Sequence, residues 1–179
     1  EGLLVTLWVI RTANCANYGT VTVNVSVYNL YIGGLFGSYF GPEIVNCLNY
    51  GAITFSGTSQ NKPAIGGLVG GMYGQSFINC VSAGDVQKGK GYAGAFAGHA
   101  GYASMPSSCY WSDTNMSIGG DASPGEAIHS CSTFDKGTFM LTSTTSVGNY
   151  TGSSLIEALN AAADMYYLLG FSQWLLNKE

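Results

Sequence analysis

The sequence predicts an all-β protein in which short strands of successive repeats stack on one another as a parallel β-solenoid. Three observations predict this fold. Short motifs recur about every 32 residues along the first two thirds of the chain. Glycine accounts for 26 of the 179 residues, and only 9% of the residues are charged. Glycine suits tight corners, and a scarcity of charge keeps like charges from stacking on one another.

An Asn-Cys pair marks the repeat most clearly. It occurs at Asn14-Cys15, at Asn46-Cys47 and at Asn79-Cys80, and Ser108-Cys109 follows as a degraded copy. Equivalent residues of stacked repeats lie directly above one another. The sequence therefore predicts a ladder formed by Asn14, Asn46 and Asn79 and by Cys15, Cys47, Cys80 and Cys109.

Two further elements keep the same register. Residues 17–19 (Asn-Tyr-Gly) recur as residues 49–51, and a β-prone run follows each copy, at 20–27 and at 52–55. Each repeat thus offers three short strands separated by Gly, Asn or Ser turns. Because strands of this length cannot close a core alone, about three to four stacked repeats of about 32 residues are expected.

A glycine-rich element resembles a known family. Gly34-Leu35-Phe36-Gly37 and Gly67-Leu68-Val69-Gly70 are similar to the GLUG repeat (Gly-Leu-any-Gly) of bacterial and protist surface proteins. The resemblance covers roughly residues 10–112. It implies a right-handed parallel β-solenoid in a large secreted, adhesin-like protein, and it implies no catalytic residues. The motif residues are Gly34, Leu35, Gly37, Gly67, Leu68 and Gly70.

The third copy of this element, residues 92–98, departs from the pattern. Ala95 and Ala97 are interpreted as replacing the Leu and the residue that follows it. This repeat is therefore expected to be bent or to be the last one.

The C-terminal third predicts a cap. The period is lost after Trp111, so we divide the chain into repeats over residues 1–111 and a loop plus helical cap over residues 112–179 of the same domain. A capping box at residues 154–157 precedes an apolar stripe at helical spacing, which predicts one helix over 154–167. A short strand or a second packing segment is predicted over 171–176. The cap is expected to cover an exposed end of the stack.

The five cysteines leave two alternatives open. Four of them recur at one position of the repeat, which favours an inward column of thiols that act as small hydrophobic residues. A disulfide is the other alternative, with Cys109 and Cys131 as its candidate pair. The sequence contains no CxxC motif or Cys/His spacing, so no zinc site or other metal site is predicted.

No catalytic constellation is visible, and we predict that the protein is not an enzyme and holds no cofactor. His99 and His129 have no Ser/His/Asp context. The repeats contain only Glu43 and Asp85 as acids, with Arg11 as the sole arginine, which is too few groups for the metal-dependent chemistry often built on β-helices.

Charge and sequons indicate an extracellular or cell-surface location. The six basic residues do not form a stripe that could track phosphates, and no apolar run reaches the roughly 20 residues that span a bilayer, so neither nucleic acid nor membrane insertion is predicted. Sequons at Asn24, Asn115 and Asn149 are consistent with secretion in a eukaryote. The chain starts without Met or a signal peptide, and it is expected to be a segment of a longer protein.

Together these observations predict a structural or adhesive segment without enzymatic activity. Its partners would be other copies of the chain or other domains of the same protein, and it could serve as the repeating subunit of a surface filament. The alternative is a carbohydrate-binding module, in which exposed tyrosines stack on glycans.

Overall fold

A computed structural model of the protein describes residues 11–73, 76–87, 91–100, 107–112, 116, 119–120 and 131–166. Within these residues the fold is all-β, with sheets that are mainly parallel and a single α-helix. The predictions made for Asn115, for His129, for most of the loop 112–132 and for a strand over 171–176 lie outside the described residues.

The strands are short and follow one another in the same order in successive repeats. Those of the first repeat are β1 (Thr12–Ala13), β2 (Ala16–Asn17), β3 (Val21–Val23), β4 (Ser26–Val27), β5 (Tyr31–Gly33) and β6 (Phe36–Tyr39). Those of the second are β7 (Glu43–Val45), β8 (Leu48–Asn49), β9 (Ile53–Phe55), β10 (Thr58–Ser59), β11 (Ala64–Gly66) and β12 (Val69–Met72).

Later strands follow in the described part of the remaining chain. The third repeat has β13 (Ser76–Ile78), β14 (Val81–Ser82), β15 (Tyr92–Gly94) and β16 (Ala97–Ala100), and β17 (Tyr110–Trp111) follows. The C-terminal part adds β18 (Ser132–Asp135), β19 (Met140–Val147), β20 (Tyr150–Ser154) and the helix α1 (Leu155–Met165).

Each strand pairs in parallel with its counterpart one repeat away. Ile44 lies beside Thr12 and Phe77, and Ile65 lies beside Ile32 and Ala93. The side chains of these pairs point between the sheets, where a continuous apolar core includes Ile44, Ile65, Leu68, Phe77 and Phe96. Residues that are one sequence period apart are therefore paired in the sheets.

The repeats shorten toward the C-terminus, and this explains why the period fades in the sequence. Contacts between equivalent residues span 32 and 33 positions in the first copies, then 29 and finally 22. In the described part of the third repeat, an isolated bridge from Val86 to Ile53 continues the sheet that β3 and β9 form.

The third glycine-rich copy, residues 92–98, is aligned with the second copy differently from the sequence-based interpretation. β15 and β16 stay in register with β11 and β12, so the expectation of a bent repeat is wrong. Phe96, which is fully buried, takes the place of Leu68, and its carbonyl accepts a hydrogen bond from the Leu68 N–H at 3.0 Å. This repeat is also not the last, because the Gly120 N–H donates to the Ala97 carbonyl.

A hairpin follows the parallel strands and was not predicted. β18 pairs in parallel with β17, and β19 and β20 then continue the same sheet in antiparallel fashion. The strand β19 reads Met-Leu-Thr-Ser-Thr-Thr-Ser-Val, and hydroxyl side chains give it no clear apolar alternation. The predicted boundary at residue 111 therefore falls inside one continuous sheet.

The predicted helix is present, and it begins at its capping residue. The Ser154 hydroxyl accepts a hydrogen bond from the Glu157 N–H at 3.4 Å. No helix among the described residues is long and apolar enough to cross a membrane.

The helix lies along the side of the stack, and the expectation that the cap as a whole covers an end stays a prediction. Leu155 and Leu159 pack with Val81 and Tyr110, on the strand face opposite the cysteines, and Ala163 packs against Val45. The apolar residues at these outward positions need cover, and the helix provides it. One helix thereby contacts strands of several repeats.

Truncating the buried face of the helix should destabilise the whole stack. Leu159 is 1% exposed, and we expect Leu159→Ala to lower the free energy of unfolding by about 2–5 kcal/mol in urea denaturation. Met165 is 59% exposed, and Met165→Ala should cost less than about 1 kcal/mol. Equal losses in the two variants would contradict the packing described here.

Candidate functional site

Asparagines occupy a corner of the stack where the backbone turns sharply. Asn14, Asn46 and Asn79 have positive φ angles of 57°, 52° and 52°, and Ser108 follows with 51°. Most side chains strain this left-handed conformation, whereas Asn tolerates it well. The Asn-Cys period in the sequence is therefore a backbone requirement repeated at each turn.

The same asparagines are joined through their amides. The Asn46 Nδ2 donates to the Asn14 Oδ1 at 2.6 Å, and the Asn79 Nδ2 donates to the Asn46 Oδ1 at 2.9 Å. An amide carries both a donor and an acceptor, so identical side chains can satisfy one another along a column. The ladder stops at Ser108, and the buried Asn79 Oδ1 has no hydrogen-bond partner among the residues that the structure describes.

A second asparagine ladder, which was not predicted, stands at the next corner. The Asn17 Nδ2 donates to the Asn49 Oδ1 at 2.8 Å and to the Gly19 carbonyl at 2.8 Å. The Asn49 Nδ2 donates to the Gly51 carbonyl at the equivalent place. The recurrence of Asn-Tyr-Gly at 17–19 and 49–51 is the sequence feature that could have predicted this ladder.

The cysteines form a column inside the stack, one residue beyond the first asparagine ladder. Four thiols share one orientation, in which the sulfur donates to the carbonyl two residues earlier. These bonds run from Cys15 to Ala13 (3.4 Å), Cys47 to Val45 (3.1 Å), Cys80 to Ile78 (3.3 Å) and Cys109 to Ser107 (3.3 Å).

Cys131 extends this column by a fifth member. The Cys109 N–H lies 3.3 Å from the Cys131 sulfur, as the Cys15 N–H lies 3.4 Å from the Cys47 sulfur. All five cysteines belong to the described part of the chain, and each is a thiol rather than half of a disulfide. The Cys109–Cys131 bridge stays a prediction for oxidising conditions.

The protein environment shifts the pKa values of the inner thiols in different directions. Burial opposes ionisation of Cys80, but hydrogen bonds with the Cys109 and Cys47 sulfurs lower its pKa well below the ordinary value. Burial raises the pKa of the Cys109 thiol well above its ordinary value, and contacts with the Cys131 and Cys80 sulfurs add to the effect. A hydrogen bond with the Cys80 sulfur, together with burial, raises the pKa of Cys47. Cys47 and Cys109 are therefore held as neutral thiols, which are poor nucleophiles.

The glycines that carry the GLUG resemblance lie where neighbouring repeats approach most closely. A side chain at Gly34 would meet the Asn49 amide, and one at Gly67 would meet the Ser82 hydroxyl and the Ala95 backbone. Leu35 and Leu68 turn into the core, with the Leu35 N–H donating to the Leu68 carbonyl at 2.9 Å.

The remaining motif glycines serve the same close approach. A side chain at Gly70 would meet the backbone of Ile32 and the carbonyl of Gly37, and Gly37 itself is partly buried beside the Tyr31 carbonyl. The motif thus packs backbone against backbone, and it places no reactive group at the surface.

Aromatic side chains line two outer faces. Tyr18, 71% exposed, neighbours Tyr50 with ring centroids 6.3 Å apart, and the Lys136 ammonium lies 4.6 Å from the centre of the Tyr50 ring. On another face, Phe40 stacks on Tyr73 at 4.7 Å. Lys136 comes from the hairpin and could not be placed beside Tyr50 by sequence spacing.

Both sequon asparagines in the described part of the chain are accessible. Asn24 is exposed between β3 and β4 of the first repeat, and Asn149 is exposed in the turn between β19 and β20. Both positions can accept a bulky glycan without displacing packed side chains.

No convergent polar site is found in the described part of the chain. His99 lies beside the Tyr73 ring at 5.6 Å, and Arg11 forms an ion pair with Glu43 at 2.6 Å. No group of three or more His, Cys, Asp or Glu side chains that could hold a metal ion occurs among the described residues. The polar chemistry of the protein is arranged in columns along the stack.

The chain was compared with protein-family models, with curated proteins and with solved structures, and none of them matches it.

Replacing Asn46 should separate the two roles of the asparagines in the first ladder, which are to adopt the left-handed backbone conformation and to form amide hydrogen bonds. Asn46→Ala loses both amide bonds and strains the left-handed backbone, and we expect a loss of about 2–4 kcal/mol in the free energy of unfolding. Asn46→Gly relieves the backbone but not the amide bonds, and we expect about 1–2 kcal/mol by the same urea denaturation. An equal loss in both variants would show that the φ angle contributes nothing.

Proposed function

We propose that this chain is a structural or adhesive segment of an extracellular or cell-surface protein and has no catalytic activity. Its fold would be a right-handed parallel β-solenoid of about three to four repeats, as the resemblance to GLUG proteins implies. The observation that carries the proposal is the pairing of like residues in columns, from the Asn14 ladder to the cysteines. Such columns stabilise a stack of repeats, and they place like groups along a line rather than different groups around one point.

The open edge of the first repeat supports assembly through its strands. In all six sheets of the described structure, the strand of the first repeat stands last in the strand order and is paired on one side only. Unpaired strand edges are templates for strands of another chain. Tyr18, Val25, Val27 and Tyr28 are exposed on this same repeat. A filament of copies, or stacking on another domain of the parent protein, would cover them.

A carbohydrate-binding module is the second candidate. The exposed Tyr18 and its neighbour Tyr50 form a short aromatic strip on the outer face, and Lys136 extends it with a polar donor. Aromatic rings of this kind stack on the apolar faces of sugars. The two candidates differ in what the isolated chain does: a subunit associates with itself, whereas a module binds glycans as a monomer.

Blocking the open edge should prevent assembly without unfolding the chain. The Val21 N–H and the Val23 carbonyl bond to the second repeat, so the backbone of Thr22 between them faces away from it. We expect wild-type protein to form fibres or oligomers that grow with concentration, as seen by electron microscopy and light scattering. We expect Thr22→Pro to abolish them, because proline removes an edge donor.

Thr22→Val is the matched control, because it keeps the N–H and should assemble like the wild type. Assembly that survives Thr22→Pro would exclude this edge as the interface. A wild-type protein that stays monomeric and binds an array of glycans, with binding lost in Tyr18→Ala, would replace the filament by the carbohydrate-binding module.

The extracellular location predicts occupied sequons. Expressed through the secretory pathway of a eukaryotic cell, the protein should lose mass on enzymatic deglycosylation. Asn24→Gln and Asn149→Gln should each remove one glycan in intact-mass measurements. An unglycosylated secreted protein would remove the support that the sequons give to this location.

A further inference from the structure

The five cysteines stand in one line, each a single repeat from the next. Strands in neighbouring repeats are separated by about 4.8 Å, so equivalent side chains recur at about that spacing. The strand register supports this alignment, because the residues that follow the cysteines pair in order: Ala16 with Leu48, Leu48 with Val81, Val81 with Tyr110, and Tyr110 with Ser132. The order of the cysteines along the column is Cys15, Cys47, Cys80, Cys109 and Cys131.

This spacing is poorly suited to a disulfide. An S–S bond is about 2.05 Å long and needs a dihedral angle near 90° between the two Cβ atoms. In-register strands hold the Cβ–S bonds of neighbouring cysteines parallel, which drives that dihedral toward zero. A bridge between neighbours would therefore have to distort the strands that carry it.

The same spacing suits a single soft metal ion between two sulfurs. Bonds from thiolate sulfur to a metal such as zinc are about 2.3 Å, so a linear S–metal–S unit spans about 4.6 Å. A linear unit places no demand on the relative direction of the two Cβ–S bonds. Only two ligands are needed, which agrees with the absence of any three-ligand cluster among the described residues.

We propose that neighbouring cysteines of the column form two-coordinate sites for soft, thiol-seeking d¹⁰ metal ions, with Hg²⁺ as the best-fitting probe. Each site binds one ion between two thiols of adjacent repeats and releases two protons: Hg²⁺ + 2 RSH gives RS–Hg–SR + 2 H⁺. The product is electrically neutral. A neutral unit can be buried in this apolar core, whereas a charged one would be costly.

The linear order of the thiols makes a numerical prediction. If each ion takes two neighbours, five thiols hold about two ions and leave one thiol over. Removing Cys15, Cys80 or Cys131 leaves two pairs of neighbouring cysteines. Removing Cys47 or Cys109 leaves only one pair. In either case one cysteine has no neighbour, and the other three stand together and can form a single pair.

The test is a titration of the reduced, full chain with mercuric chloride, followed by native intact mass. We expect about two ions per chain for the wild type and for Cys80→Ala, but about one ion for Cys47→Ala and for Cys109→Ala. Alanine keeps the core apolar, and circular dichroism of each variant verifies that it folds. Zinc chloride is the matched control, and it should not bind because zinc requires four ligands.

Several results would overturn the proposal. One ion per thiol in every variant would show independent thiols, and the same loss in Cys80→Ala as in Cys47→Ala would show that neighbours are not paired. Zinc binding at equal stoichiometry would exclude two-coordinate sites. A loss of two hydrogens per pair from the mass, without metal, would show that the column forms disulfides. None of these results bears on the proposed structural role.

Discussion

In-register parallel pairing is the constraint on which the rest of this structure depends. When each strand lies on its counterpart from the previous repeat, every side chain has a copy of its own position above and below it, at about 4.8 Å. Only certain residues tolerate such neighbours. Amides do so because they donate and accept at once, as Asn14, Asn46 and Asn79 do, and thiols and glycines do so because they are small. Charged residues are scarce for the same reason.

The constraint also shapes the chemistry that the protein can offer. Enzyme sites gather different groups around one point, whereas stacked repeats place the same group along a line. The column of cysteines and the two asparagine ladders are such lines, and the described part of the chain holds no convergent cluster of metal ligands. The structural or adhesive role that we propose relies on these columns and on strand edges, and it requires no convergent site.

The C-terminal part holds the stack together in a way that the repeats alone do not. Its hairpin continues the sheet of β17 through β18, and its helix then packs across Val45, Val81 and Tyr110, which belong to different repeats. These three residues face outward from the strands, and Leu155, Leu159 and Ala163 of the helix cover them. Neighbouring repeats are therefore joined by side-chain packing as well as by backbone hydrogen bonds.

The sequence by itself determined the parallel register, because the Asn-Cys period is local and repeats what each turn of backbone requires at Asn14, Asn46 and Asn79. It also determined the helix, whose capping residue Ser154 and apolar stripe lie within a few turns of chain. Only the tertiary structure decided where that helix lies, that Phe96 replaces Leu68, and that Cys131 joins the column after a shortened repeat. These features depend on contacts between residues far apart in the chain, and a period that shortens from 33 to 22 residues no longer shows them in the sequence.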